Sequence, residues 1–201
     1  MTLTQITFFF FGILAIIVIA MWVHAYLDRR TIRKHLERLA AQFPGTIVQE
    51  SSQYPAFHSH NEGRPFTLLF NEVKVGKQNI LYAIYSITAA LPHSLLLIKK
   101  GAYKPIEDVS SFDKVNGAIL QDIETPFEAR SLSPEWAARA YREGIQPLLN
   151  DLGSFLSLQC GPDALVVGKP FEGVEEVDPK IILNTVTALT KLANGLEQVP
   201  S

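Results

Sequence analysis

The chain has 201 residues, 47% of them hydrophobic, with 20 acidic and 18 basic residues, a formal net charge of −2 and one cysteine. That balance excludes a nucleic-acid binder, which needs a basic face on the domain itself, and one cysteine excludes a disulfide-stapled scaffold. Beyond a single long apolar segment, the length is that of one domain with room for a core.

That segment comes first. Ile6 to Leu27 contains no Asp, Glu, Lys or Arg, and 13 of its residues are Ile, Leu, Phe or Val. As a helix it would extend roughly 33 Å, enough for a hydrocarbon core of about 30 Å. Mid-membrane transfer of those 13 residues favours insertion by about 4 to 8 kcal/mol, before the costs of Thr7 and His24. Trp22, His24 and Tyr26 gather at the C-terminal end, as an interfacial belt does. Phe8 to Phe11 crowd the other end, and Gly12 alone makes no small-residue helix–helix seam. A cleaved signal peptide is the competing reading, with Val23-His24-Ala25 as a passable cleavage triplet. The residues before the span carry no Lys or Arg, however, and the apolar run is too long. The segment is therefore expected to remain as a signal-anchor.

The flanks set the expected orientation. Arg29, Arg30, Arg33, Lys34 and Arg38 follow the span against Asp28 and Glu37. The excess of positive charge predicts that the C-terminal side lies in the cytoplasm of a cell (inner) membrane. Those five residues form a candidate membrane-surface collar. From Leu39 onward the chain instead has 13 basic against 18 acidic residues. Ile32, Leu36, Leu39 and Phe43 recur at helical spacing, so residues 28–43 are expected to be a basic juxtamembrane helix whose apolar face packs on the domain. Pro44-Gly45 ends it.

Strands follow. Thr46 to Glu50, Pro55 to His60, Phe66 to Val75, Asn79 to Leu91 and Ser94 to Ile98 are β-prone, and turn residues at 61–65, 76–77 and 91–93 separate most of them, the pattern of an antiparallel meander. Residues 99–124 are irregular and acidic. Phe127 to Ser131 is a further strand. Ser133-Pro134-Glu135 starts a helix to about Asp151 that Pro147 should kink or split. Phe155 to Cys160 and Ala164 to Val167 form a hairpin, and Asp178-Pro179 starts a last helix to about Leu196 with Ile182, Val186, Leu189, Ala193 and Leu196 inward. The expected fold is α+β: an N-terminal transmembrane helix, then a largely antiparallel sheet with helices on one face. The expected division is 1–27 anchor, 28–43 juxtamembrane helix and 44–201 soluble domain. By size, residues from about 41 onward should fold without lipid.

Three groups could carry chemistry. His58 and His60 share one side of a strand and could reach one metal, with Glu62 as a third ligand; a solvent-facing strand end is the plainer reading. The acids Asp108, Asp113, Asp122 and Glu124 could supply a carboxylate pair, with Asp113 and Asp122 as the centre of an enzyme site; a solvated acidic face is the alternative. Cys160 has the surroundings of a buried structural thiol. None of the common phosphate-loop, dinucleotide, zinc-protease or serine-hydrolase motifs is present. No cofactor and no catalytic residue is therefore expected.

The run from Gln121 through Pro147-Leu148-Leu149, followed by the hairpin Leu156 to Pro170, resembles bacterial single-span membrane-anchored domains of unknown function. Phe127, Ser133, Pro134, Tyr141 and Pro147-Leu148-Leu149 carry that resemblance, which extends in layout from Phe66 to Leu196. It implies an anchored domain and no particular activity. The functional expectation is a single-pass protein with a non-catalytic binding or accessory domain. A membrane-associated enzyme and a subunit of a larger membrane assembly are the alternatives. Its expected partners are the lipid bilayer and a protein or a second copy of the chain.

Overall fold

The computed structural model describes residues 3–49, 54–75, 78–100, 118–119 and 127–200. It opens with a single 40-residue helix, α1 (Leu3–Gln42). The apolar segment and the basic segment after it are therefore one continuous helix. Strands follow: β1 (Gly45–Val48), β2 (Ala56–Asn61), β3 (Arg64–Val75), β4 (Gln78–Thr88), β5 (Leu95–Lys99), β6 (Ala118–Ile119) and β7 (Phe127–Ser131). A broken helical segment, 134–152, leads to the hairpin β8 (Ser157–Cys160) and β9 (Ala164–Pro170). A 3-10 turn, Val174–Val177, precedes the final helix, Pro179–Glu197.

The strands form one sheet in the order β1-β2-β3-β4-β9-β8-β5-β7-β6. Every pairing is antiparallel. The β2–β3 turn is the two residues Glu62 and Gly63, with φ of 50° and 80°. Two positive φ values in a two-residue loop match the twist of the flanking strands, which is why a glycine sits there. Alternation then sorts the side chains. Phe57, Phe66, Leu68, Tyr85, Ile87, Leu97, Leu158 and Val167 enter the main core beneath the helices. Tyr82, Ile84 and Val166 point to the other face and form a small cluster with Leu69, Ile80, Leu156 and Ala164.

The core begins earlier than residue 44. Ile32, Leu36 and Leu39 on α1 are fully buried, and Phe43 packs against the same cluster. Each buried aliphatic side chain is worth about 1.5–3 kcal/mol, so the last third of α1 is welded to the domain. It lies against β1, the final helix and the 3-10 turn.

The helix expected over 133–151 is four pieces. An α-helix, α2 (Pro134–Arg139), widens into a π-helix (Ala140–Ile145). It then tightens through a 3-10 turn (Gln146–Leu148) into a last α-turn, α3 (Leu149–Leu152). Pro147 cannot donate to the helical ladder and its ring crowds the preceding turn, so the backbone changes pitch on both sides of it. Gly144 lies at the contact with the final helix, where a Cβ would sit 2.6 Å from Leu196 Cδ2. Trp136, Ala140 and Ile145 are buried, and Leu148 and Leu149 are half-buried. The final helix, α4 (Pro179–Glu197), follows its sequence pattern throughout. Asp178 caps it, accepting from Lys180 N at 2.9 Å, and Ile182, Val186, Leu189, Ala193 and Leu196 are buried.

Candidate functional site

The five collar residues fall into two groups. Arg29 is drawn toward the domain, its guanidinium carbon 5.3 Å from the Tyr54 ring centre. Arg30, Arg33, Lys34 and Arg38 are exposed, opposite the buried Ile32–Leu36–Leu39 stripe. Arg33 Nε donates to Glu37 Oε1 at 3.0 Å and its Nη1 reaches Gln49 Oε1 at 3.5 Å. The α-helical rise separates Arg29 from Arg38 by about 14 Å along the axis. The collar is therefore a ladder running up one side of α1.

Among the described residues before the collar, α1 is apolar and uncovered. The 18-residue window that qualifies it as long and apolar enough to cross a membrane is 0% buried. Phe9, Phe10, Phe11, Ile16 and Ile19 are among its exposed residues. A helix hydrophobic all round needs an apolar surrounding, and among the described residues no domain surface supplies it.

His58 and His60 lie on one side of β2 and are exposed, alternating with the buried Phe57 and Ser59. His58 Nδ1 lies 3.1 Å from Thr67 Oγ1 across the ladder. Glu62 sits in the tight turn. Among the described residues no cluster of three or more His, Cys, Asp or Glu side chains could hold a metal. Asp108, Asp113, Asp122 and Glu124 lie outside the described residues. Cys160 ends β8 fully within the core, where burial pushes its thiol pKa up and away from thiolate chemistry.

Three polar arrangements had no signal in the sequence, because each joins residues far apart in the chain. At the start of β3, Arg64 forks onto Glu197 at the end of α4, with Nη1–Oε1 at 2.8 Å and Nη2–Oε2 at 2.6 Å. The same guanidinium donates to Asn194 Oδ1 and to the Thr88 carbonyl, while Ala90 N donates to Glu197 Oε1. The hydrogen bonds from Arg64 hold the Glu197 carboxyl below its ordinary pKa. Beside this fork is a shallow open depression of about 500 Å³, bordered by Leu91, Pro92, Pro162 and Val199. Second, Lys169 Nζ donates to Thr185 Oγ1 at 3.1 Å beneath α4, 5.8 Å from the Tyr85 ring centre. Burial lowers the Lys169 pKa and raises those of Glu176 and Tyr85. Third, Ser133 Oγ lies 3.1 Å from His93 Nδ1, and the His93 ring packs edge-on to Trp136. The lysine cluster includes the acid Glu176, whose charge acts against the lowering of the Lys169 pKa, whereas the His93 pair shows, among the described residues, no acid that would orient a catalytic base.

No family model and no curated protein matches the sequence. Among solved structures, the fold is similar to the crystal structure of the mycobacterial trehalose monomycolate transport factor A, TtfA, with a TM-score of 0.55 and 10% identity. The match covers 85% of this chain and 96% of that one. At that identity the likeness is one of fold.

Proposed function

We propose that the chain is a single-pass membrane protein whose α+β domain is a non-catalytic accessory module, held at the cytoplasmic surface beside a protein partner. The observation that carries this is the continuity of α1: apolar and uncovered over its first two thirds, locked into the domain core over its last third. An anchor built this way leaves no slack, so the domain is presented at a fixed height above the bilayer. The basic side of α1 supports the cytoplasmic orientation. Arg29 and Arg30, nearest the span, lie within a Debye length of about 8 Å of the headgroups, whereas Arg38 stands well beyond it. The division into anchor (1–27), basic extension (28–43) and domain (44–201) belongs to the same reading. The solved neighbour is named a transport factor, which favours a place beside a membrane transport protein over a free-standing activity.

Two measurements test the reading. A reporter fused at Ser201 that works only outside the cytoplasm should be silent, and replacing the five collar residues by Glu should weaken the orientation preference. An active reporter on the unaltered chain would reverse the topology. Purification of the full chain in mild detergent should bring a membrane protein along at fixed stoichiometry. Recovery of the chain alone, or only with itself, would remove the accessory role.

A further inference from the structure

Among the described residues the β3–β4 ribbon outruns the rest of the sheet. On one side β2 accompanies β3 only as far as the Phe57–Leu68 pair. On the other, β9 accompanies β4 only to the Tyr82–Pro170 pair, with one more bond from Phe171 N to the Leu81 carbonyl. The ladder nevertheless continues through Val73–Ile80, Lys74–Asn79 and Val75–Gln78. A two-stranded ribbon without neighbours is marginal in water.

Its direction is fixed by contacts along α1. The Phe66 ring lies 5.7 Å from Phe43, at the C-terminal end of α1. The Phe70 ring lies 6.5 Å from Tyr54, which in turn meets Arg29. Moving along β3 from Phe66 therefore means moving along α1 back toward its apolar part. From Phe43 to Arg29 the helix covers about 21 Å. From Phe66 to Val75 the strand covers about 30 Å. The ribbon end thus passes Arg29 by less than about 10 Å, once strand tilt and twist are allowed for. Arg29 itself follows the last apolar residue, Leu27, by only about 3 Å of helix. A polar headgroup layer is about 5–8 Å deep on each side of the hydrocarbon. The end of the ribbon therefore reaches the level at which α1 passes from apolar to polar residues, within about 10 Å of the boundary between the headgroups and the hydrocarbon.

We propose that the free end of the β3–β4 ribbon, from the Val73–Ile80 pair to the Val75–Gln78 pair, rests in the phospholipid headgroup layer of the bilayer that α1 crosses. This rests on the reading of α1 as a membrane span. The sequence at the end mixes apolar Val73, Val75 and Ile80 with polar Lys74, Gln78 and Asn79, the composition that an interfacial position accommodates. The ribbon is then a second point of lipid contact. One helix leaves a domain free to rotate about the helix axis; a second contact at a distance from that axis removes the freedom and sets which face of the domain looks along the membrane.

The test uses the full chain in vesicles of phosphatidylethanolamine and phosphatidylglycerol. Single cysteines are placed at Val75→Cys, at Gln78→Cys across the same pair, at His60→Cys near the opposite end of the ribbon, and at Phe10→Cys in the span. Each carries a small fluorophore, while the buried Cys160 stays unlabelled. A headgroup-attached nitroxide lipid should quench the labels at 75 and 78 several-fold more strongly than the label at 60. A mid-chain nitroxide should quench the label at 10. Equal quenching at 75, 78 and 60, with the label at 10 quenched, overturns the ribbon contact and leaves the span intact. An unquenched label at 10 overturns the span, and the ribbon contact with it.

Discussion

Helices α1 and α4 lie side by side on one face of the sheet and run in the same direction, yet they divide their surfaces differently. In α4 an inward stripe from Ile182 to Leu196 runs the whole length, opposite an exposed polar side. In α1 a buried stripe with the same period runs from Ile32 to Leu39; among the described residues before Asp28, the helix is apolar and exposed. Period alone marks both as helices. What distinguishes span from scaffold is the chemistry of the side that faces away from the sheet. On α1 that side turns from Phe, Ile and Val to Arg, Lys and Glu at residues 28–30, and α4 has no comparable apolar stretch.

The comparison can be broken most forcefully from the α4 side. Trp136 is buried at 3% exposure, in the first turn of the segment that packs on α4 through Gly144. Trp136→Ala should cost about 3–5 kcal/mol, as for large core aromatics. A melting shift equivalent to less than about 1 kcal/mol would mean that the segment is not part of the α4 core.

The α1 side comes next. Leu36→Ala should cost the domain about 2–5 kcal/mol, whereas Leu14→Ala, in the uncovered part of the same helix, should leave domain melting unchanged within about 0.5 kcal/mol. Equal effects at the two positions would erase the boundary drawn at Asp28. The same packing bears on the expectation that residues from about 41 fold alone: that piece lacks Ile32, Leu36 and Leu39. Broad, poorly dispersed amide spectra are expected from it and sharp ones from a chain that begins before Asp28.

The smallest effect concerns the fork that ties α4 to β3. Glu197→Gln should cost about 1–3 kcal/mol near neutral pH, the range for hydrogen bonds to charged groups. Because the folded state holds the Glu197 pKa below its unfolded value of about 4.3, this stability is present above that pH and is lost as pH falls through the lower, folded value. The difference between wild type and Glu197→Gln in chemical denaturation should therefore shrink on acidification below about pH 4. A difference that stays constant with pH would mean that the fork contributes no charge-assisted stability.

Much of the architecture was legible because it depends on local pattern. The inward residues of α4, the hairpin around Gly161-Pro162-Asp163, the strand Phe127–Ser131 and the stripe on α1 all follow from periodicity and turn chemistry. The π-helix over Ala140–Ile145 was not legible: Pro147 announces a disruption, but how the backbone absorbs it depends on where α4 presses against Gly144. Strand order was equally hidden, since β9 pairs with β4 across a long intervening stretch that alternation says nothing about. For the site, sequence named the five collar charges as one group. It could not show that Arg29 turns inward while the others stay out, because that depends on where Tyr54 lies. The acids at Asp113 and Asp122 fall outside the described residues, so the enzyme alternative gained no geometric support.

The strand order also has a consequence in time. Ile87 in β4 pairs with Leu165 in β9, and Leu97 in β5 with Leu158 in β8. The middle of the sheet therefore closes only when the last quarter of the chain has been made. At about 5–20 residues per second, translation needs several seconds to deliver β9 after β4. Throughout that interval α1 is already synthesised and its stripe, Ile32, Leu36 and Leu39, has no α4 to cover it. Pairings between strands so distant in sequence are also intrinsically slow to form. The nascent domain thus waits with an apolar strip of α1, Ile32, Leu36 and Leu39, still uncovered. In this protein the order of synthesis makes the newest helix the last part needed to shield the oldest one.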